Sequence, residues 1–217
     1  MTAKTKTSSK GIIYVKPGVA SWKVPSVVHR GETRTYEVVG EITPAMTQDK
    51  LMSKYGTEIP STSLIWAILS RAHDLKNENP ETAESLRNFI REGLSQFPNT
   101  STRLIYNPRG ERDEVIHNYL TSKQYSLKGN FVGIDGNVAD IPDKKTLDLV
   151  LETQDTKKIN KVSNWIDNTD FRIWRLNKTP SVRHERVARF VASSGRLGLG
   201  CYWVPLGVYP AFRVLRV

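Results

Sequence analysis

The chain has 217 residues, 38% of them hydrophobic and 25% charged, which suits a folded chain with a real core and argues against a low-complexity one. No apolar run approaches the ~18 residues needed to span a bilayer, so membrane insertion is not expected. The formal net charge is +10 and the single cysteine is Cys201, which excludes an intrachain disulfide and raises nucleic acid as a partner.

The first ten residues, MTAKTKTSSK, carry no apolar stretch and read as a disordered basic tail rather than a secretory signal. The expected location is therefore the cytoplasm or a virus particle. Residues 11–217 read as a single domain. GIIYV (11–15) and TRTYEVV (33–39) have strand composition, with Lys16-Pro17-Gly18 and His29-Arg30-Gly31 as turns. Residues 41–60 show no clear element. STSLIWAILSRAHDLK (61–76) predicts a helix with a Ser or Thr cap and an apolar face of Leu64, Ile65, Ile68, Leu69 and Ala72. PETAESLRNFIREGLSQF (80–97) predicts a second one, capped by Asn79, opened by Pro80 and stopped by Pro98-Asn99. Two amphipathic helices so closely linked are expected to pack on a common sheet.

TRLIYN (102–107) and EVIHNYL (114–120) predict strands around Pro108-Arg109-Gly110, and NFVGIDGNV (130–138) a short hairpin turning at Asp135-Gly136. KKTLDLVLE (144–152) and TKKINKVSNWID (156–167) predict short helices. FRIWRLN (171–177), ERVARFVAS (185–193) and AFRVLRV (211–217) predict strands. Strands, then helices, then mostly strands give an α+β class.

The chemistry-bearing residues form no recognisable catalytic set. His29, His73, His117 and His184 lie at no metal-ligand spacing from one another or from Cys201, so no metal and no cofactor are expected. Cys201 with a remote histidine could make a thiol nucleophile, but its neighbours Leu199, Gly200 and Tyr202 favour a small buried hydrophobe. The glycines of GRLGLG precede no helix that would hold a phosphate. No enzyme is predicted. The charge offers an alternative: nine cations from Arg172 to Arg216 face only Asp170 and Glu185 in residues 168–217, which would suit a basic nucleic-acid-binding protein.

The end of the chain is unusual, since residues 190–217 contain no Asp, Glu or Lys. Sorted by strand parity, Phe190, Ala192 and Ser194 share one face; after a slip at Gly195-Arg196, so do Leu197, Leu199 and Cys201. These are small or apolar, as a core requires. The complementary set, Val191, Ser193, Arg196, Gly198, Gly200 and Tyr202, has no common chemistry. Trp203, Val204, Gly207, Val208 and Tyr209 continue it around Pro205 and Pro210. The plain alternative is one more buried hairpin with an idiosyncratic face.

The pattern R-F-x-A-x-S-x-x-L-x-L-x-C-x-x-x-P-x-x-x-x-P-A-F-R-V, from Arg189 to Val214, resembles the variable region of proteins diversified by diversity-generating retroelements, in particular the archaeal and archaeal-virus kind. IWRLN (173–177), ERVARF (185–190), LKNENPETAESLRNFI (75–90) and FPNTSTRLIYNP (97–108) are similar to the lead-in of that family. The resemblance implies a C-type lectin-like fold with a C-terminal variable region at about 189–214. It implies a non-catalytic function, the binding of a macromolecular ligand, expected to be a protein. Adenine-directed mutagenesis of a template would set the variable positions: Val191, Ser193, Gly195, Arg196, Gly198, Gly200, Tyr202, Trp203, Val204, Gly207, Val208 and Tyr209. Phe190, Ala192, Ser194, Leu197, Leu199, Cys201, Pro205, Pro210, Ala211 and Phe212 would be scaffold. The ending AFRVLRV departs from the family's Gly-x-Arg-type strand. The tail carries no carboxylate, so calcium is not expected there.

Overall fold

A computed structural model describes residues 11–193 and 195–217, with Ser193 described by its backbone. The expected tail over residues 1–10, and Ser194, lie outside the described residues. Among these residues the strands are β1 (Ile13–Val15), β2 (Ser21–His29), β3 (Glu32–Val39), β4 (Asn99–Tyr106), β5 (Asp113–His117), β6 (Tyr125–Gly129), β7 (Gly136–Asn137), β8 (Phe171–Trp174), β9 (His184–Ser193), β10 (Arg196–Trp203) and β11 (Val214–Arg216). The helices are α1 (Gln48–Tyr55), α2 (Thr62–Leu75), α3 (Pro80–Leu94), α4 (Lys145–Leu151) and α5 (Thr156–Asp167). The mixed α+β class holds. A four-stranded sheet runs β1-β2-β3-β11 and a seven-stranded sheet runs β6-β5-β4-β9-β10-β8-β7.

The long helices start where their caps say. Ser61 Oγ accepts the Leu64 N–H and Asn79 Oδ1 accepts the Thr82 N–H, with Pro80 in the first turn. Ile65, Ile68, Leu69 and Ala72 of α2 are buried, and so are Ala83, Leu86, Ile90 and Leu94 of α3. Both helices reach β9, and α2 also packs on β2, so it lies between the two sheets. One core cluster joins both sheets with α2, α3, α4 and α5.

Several expectations need correction. Residues 41–60 do hold an element: α1, capped by Thr47, followed by a 3-10 turn at Gly56–Glu58. Leu51, Met52 and Ile59 form a small second core with Ala211, which helps to bury β4 on every residue. Residues 130–138 do not make a hairpin. Gly136 and Asn137 pair with Ile173 and Arg172 of β8, and Asp135 Oδ1 accepts the Arg175 N–H at 2.7 Å. β2 and β6 are additions. The final strand is confined to β11, and residues 211–213 hold position through other contacts.

Candidate ligand-binding surface

The C-terminal hairpin occupies the interior of the larger sheet, with β9 paired to β4 and β10 paired to β8. Gly195, at φ 68°, turns the chain before Arg196 pairs with Ser193. Across the hairpin Ala192 faces Leu197 and Phe190 faces Leu199; on the opposite face Val191 meets Gly198 and Arg189 meets Gly200. Phe190, Leu197, Leu199 and Cys201 are buried. Phe190 and Leu197 border a small apolar void with Trp66, Leu94 and Ile166, so this inner face rests on α2, α3 and α5.

A second parity slip follows, which the sequence reading lacked. Gly200 faces Arg189, yet Trp203 faces Val187: three steps on β10 match two on β9. Alternation alone keeps Cys201 inside and Tyr202 outside; the bulge moves Trp203 off the inner face and folds its indole over Gly200. A Cβ on Gly200 would lie 2.5 Å from Trp203 Nε1. A Cβ on Gly198 would lie 2.2 Å from the Arg172 carbonyl oxygen and 2.7 Å from the Trp174 ring. The structure therefore does not bring Val191, Gly198 and Gly200 to the surface. Gly198 lies against the Trp174 ring and Gly200 against the Trp203 indole, a floor below the surface.

Of the remaining expected site residues, Tyr202, Trp203, Val204, Gly207, Val208 and Tyr209 lie at the end of β10 and on the loop after it, whereas Gly195 and Arg196 lie at the opposite end of that strand, roughly 20 Å away at the rise of an extended chain. Gly195 and Arg196 are exposed at the hairpin tip. Gly207 N–H donates to the Val204 carbonyl at 3.1 Å, closing a turn with Pro205 at its second position and Leu206 at its tip. Tyr202, Val204, Leu206 and Val208 are 40%, 53%, 81% and 58% exposed. Trp203, Pro205, Gly207 and Tyr209, between them, are half-buried. The even-numbered side chains thus project outward and the odd-numbered ones hold the loop. Leu206, the most exposed, was absent from the expected set.

The loop is clamped from beneath. Met46 and Tyr209 exchange two backbone hydrogen bonds of 3.0 Å. Asn99 N–H donates to the Pro210 carbonyl at 2.7 Å, and its side-chain amide donates to the carbonyls of Met46 (3.2 Å) and Tyr209 (3.4 Å). Thr43 Oγ1 accepts the Ala211 N–H at 2.9 Å.

At the centre of the clamp is Arg189, only 1% exposed and, among the described residues, without a carboxylate partner. Its Nε donates to Asn99 Oδ1 at 2.7 Å and its Nη2 to the Val204 carbonyl at 3.4 Å. The guanidinium lies 3.8 Å from the Tyr209 ring centroid and 5.0 Å from that of Trp203, and Trp203 stacks on Tyr202 at 5.1 Å. Burial pushes its pKa down to about 10, against the pull of Tyr209, so it remains charged at neutral pH. Gly207 leaves room for it, since a Cβ there would lie 2.8 Å from Arg189 Nη2. Its strand parity, shared with Val191 and opposite to buried Phe190, was the available signal that it joins this face.

Four of the nine C-terminal cations are committed within the fold. Arg175 and Arg189 are buried, Arg183 pairs with Glu185 at 3.1 Å, and Arg213 pairs with Glu58 at 2.7 Å. Cys201 is fully buried, and burial holds its thiol far above the usual range. Among the described residues no group of three or more His, Cys, Asp or Glu is placed to hold a metal, and no helix is long and apolar enough to cross a membrane. Comparison with protein-family models, with curated proteins and with solved structures gives no match.

Proposed function

We propose that this protein is a non-catalytic binder of a macromolecular ligand, a protein, through the surface formed by residues 202–209. On this reading the surface is diversified by retroelement-directed adenine mutagenesis and is carried on a C-type lectin-like scaffold. The observation that carries the reading is the alternation in 202–209, where exposed Tyr202, Val204, Leu206 and Val208 stand on a clamped backbone. Contiguous exposed apolar side chains mark interaction surfaces. Tyr and Trp are the residue types that dominate binding energy. A loop held in place beforehand loses little freedom on binding. Asn99, Thr43 and Met46 lie outside the variable stretch and hold backbone atoms of residues 209–211, so the anchorage at this end of the loop does not depend on the side chains the loop carries. Arg189 is a fixed residue of the pattern, consistent with its place in the clamp.

The test is to sequence the gene's 3′ end across many individuals of the source population, together with the region downstream. The expected result is a near-copy of the 3′ end that differs at adenines, a reverse transcriptase gene beside it, and variation concentrated in residues 191–209. A single invariant 3′ end without a repeat overturns the diversification. The surface itself is tested by Leu206→Asp and Val208→Asp, which should change stability by no more than ~0.5 kcal/mol in urea denaturation. A loss of several kcal/mol would show that these side chains belong to the fold and not to a contact surface.

A further inference from the structure

A second site lies elsewhere, on the turn between β2 and β3. Two clefts of about 450 and 360 Å³ meet there, and both are lined by His29 and Arg30. Neither shares a residue with 195–209. The two-residue turn is Arg30-Gly31, with φ of 53° and 74°. Positive φ at both positions is the hairpin turn in which Asn-Gly is favoured and a long side chain is strained. Three more non-glycine residues with positive φ line the same clefts: Ser26, Asn118 and Glu152.

The smaller cleft is rich in uncommitted cations. Arg30, Lys123 and Arg216 come from three separate parts of the chain, and among the described residues none has a carboxylate within ion-pair distance. Its two acids are already engaged, Glu32 by Arg34 at 2.7 Å and Glu58 by Arg213 at 2.7 Å. Arg30 lies over a ring, its guanidinium carbon 3.5 Å from the Tyr125 ring centroid. Stacking leaves the in-plane N–H groups of the guanidinium fork free to donate. Tyr125 is held in turn, its hydroxyl bonded to Glu152 Oε1 and 3.3 Å from Ser63 Oγ. Ser63 Oγ lies 3.1 Å from His29 Nε2. Glu152 approaches that same nitrogen at 4.0 Å, so serine and acid do not flank the imidazole as a catalytic relay requires. The network positions Arg30 and does not assemble a nucleophile.

We propose that this smaller cleft binds a small multivalent oxyanion, of the chemistry and size of a phosphorylated metabolite. Three cations without carboxylate partners suit a di- or trivalent anion, and a stacked arginine fork reads phosphate oxygens. The cleft volume lies within the range of small-molecule sites. The strained Arg30 then has a reason, because the residue that fits the turn best, Asn, cannot supply the charge.

Inorganic pyrophosphate is the probe, titrated at low salt by calorimetry and by its effect on Tm. Arg30→Asn keeps the turn and removes the cation. It should match or exceed the original protein in Tm without pyrophosphate, and bind pyrophosphate at least tenfold more weakly. Lys123→Ala with Arg216→Ala should weaken binding similarly, whereas Arg109→Ala with Arg196→Ala, exposed and remote, should not. Unchanged affinity in Arg30→Asn and in the Lys123, Arg216 double variant overturns the proposal. So does an equal loss in the Arg109, Arg196 control, which would reveal diffuse attraction to net charge.

Discussion

Gly198, Gly200 and Gly207 share one residue type but meet three different obstacles. A methyl group on Gly198 would collide with a backbone oxygen of β8, which moves only if the strand moves. On Gly200 it would meet the half-buried Trp203 ring, which can swing aside, and on Gly207 the end of Arg189, which is held in the clamp. Gly198→Ala should therefore cost about 2–3 kcal/mol in urea denaturation, and clearly more than Gly200→Ala. Arg189 shows why a sequence reading falls short at this scale. Read along the chain it is one more surface cation. Its burial depends on Asn99, 90 positions away, and on rings that approach only after the loop closes. Asn99→Ala would remove the acceptor of a buried charge together with two loop contacts. The expected loss is about 2–4 kcal/mol, with faster deuterium exchange at the Tyr209 amide as the specific sign.

At the scale of elements, legibility followed local signals. α2 and α3 could be read because cap, apolar stripe and stop agree within each segment. α1 could not: in QDKLMSKY the only fully buried apolar residues are Leu51 and Met52, beside a buried Gln48 that no apolar pattern would flag. β2 was obscured by Pro25 and by a register shift between Val24 and Val27, where Ser26 takes φ 54°. The supposed turn at Asp135-Gly136 failed because the Asp135 carboxylate is committed to the backbone of Arg175, a partner invisible in the local sequence. The inner face of the hairpin was legible from parity alone. Its outer face was not, because the bulge at Gly200–Trp203 returns an indole over residues that alternation assigns to the surface.

At the scale of the molecule, titration of buried histidine should govern acid stability. His117 is fully buried between Thr102 Oγ1 at 3.1 Å and the Leu149 carbonyl at 2.8 Å, and burial lowers its pKa from 6.5 to about 4. The unfolded chain then binds the extra proton first, so stability present at neutral pH is lost as pH falls from about 6.5 toward 4. The loss from this residue is about 3 kcal/mol, and burial of His29 and His73 acts in the same direction. Urea denaturation from pH 7 to 4 should show the decline, and His117→Gln should flatten it. The strand order has a kinetic consequence as well. β4 cannot meet its second neighbour until residues beyond 184 have been synthesised, and β3 waits for Val214. Until the ribosome has delivered the hairpin, the larger sheet is missing its middle and β4 presents an open edge. A substitution that distorts the β10 backbone would then appear as nascent chains lost to aggregation, before any weakness in binding could be measured.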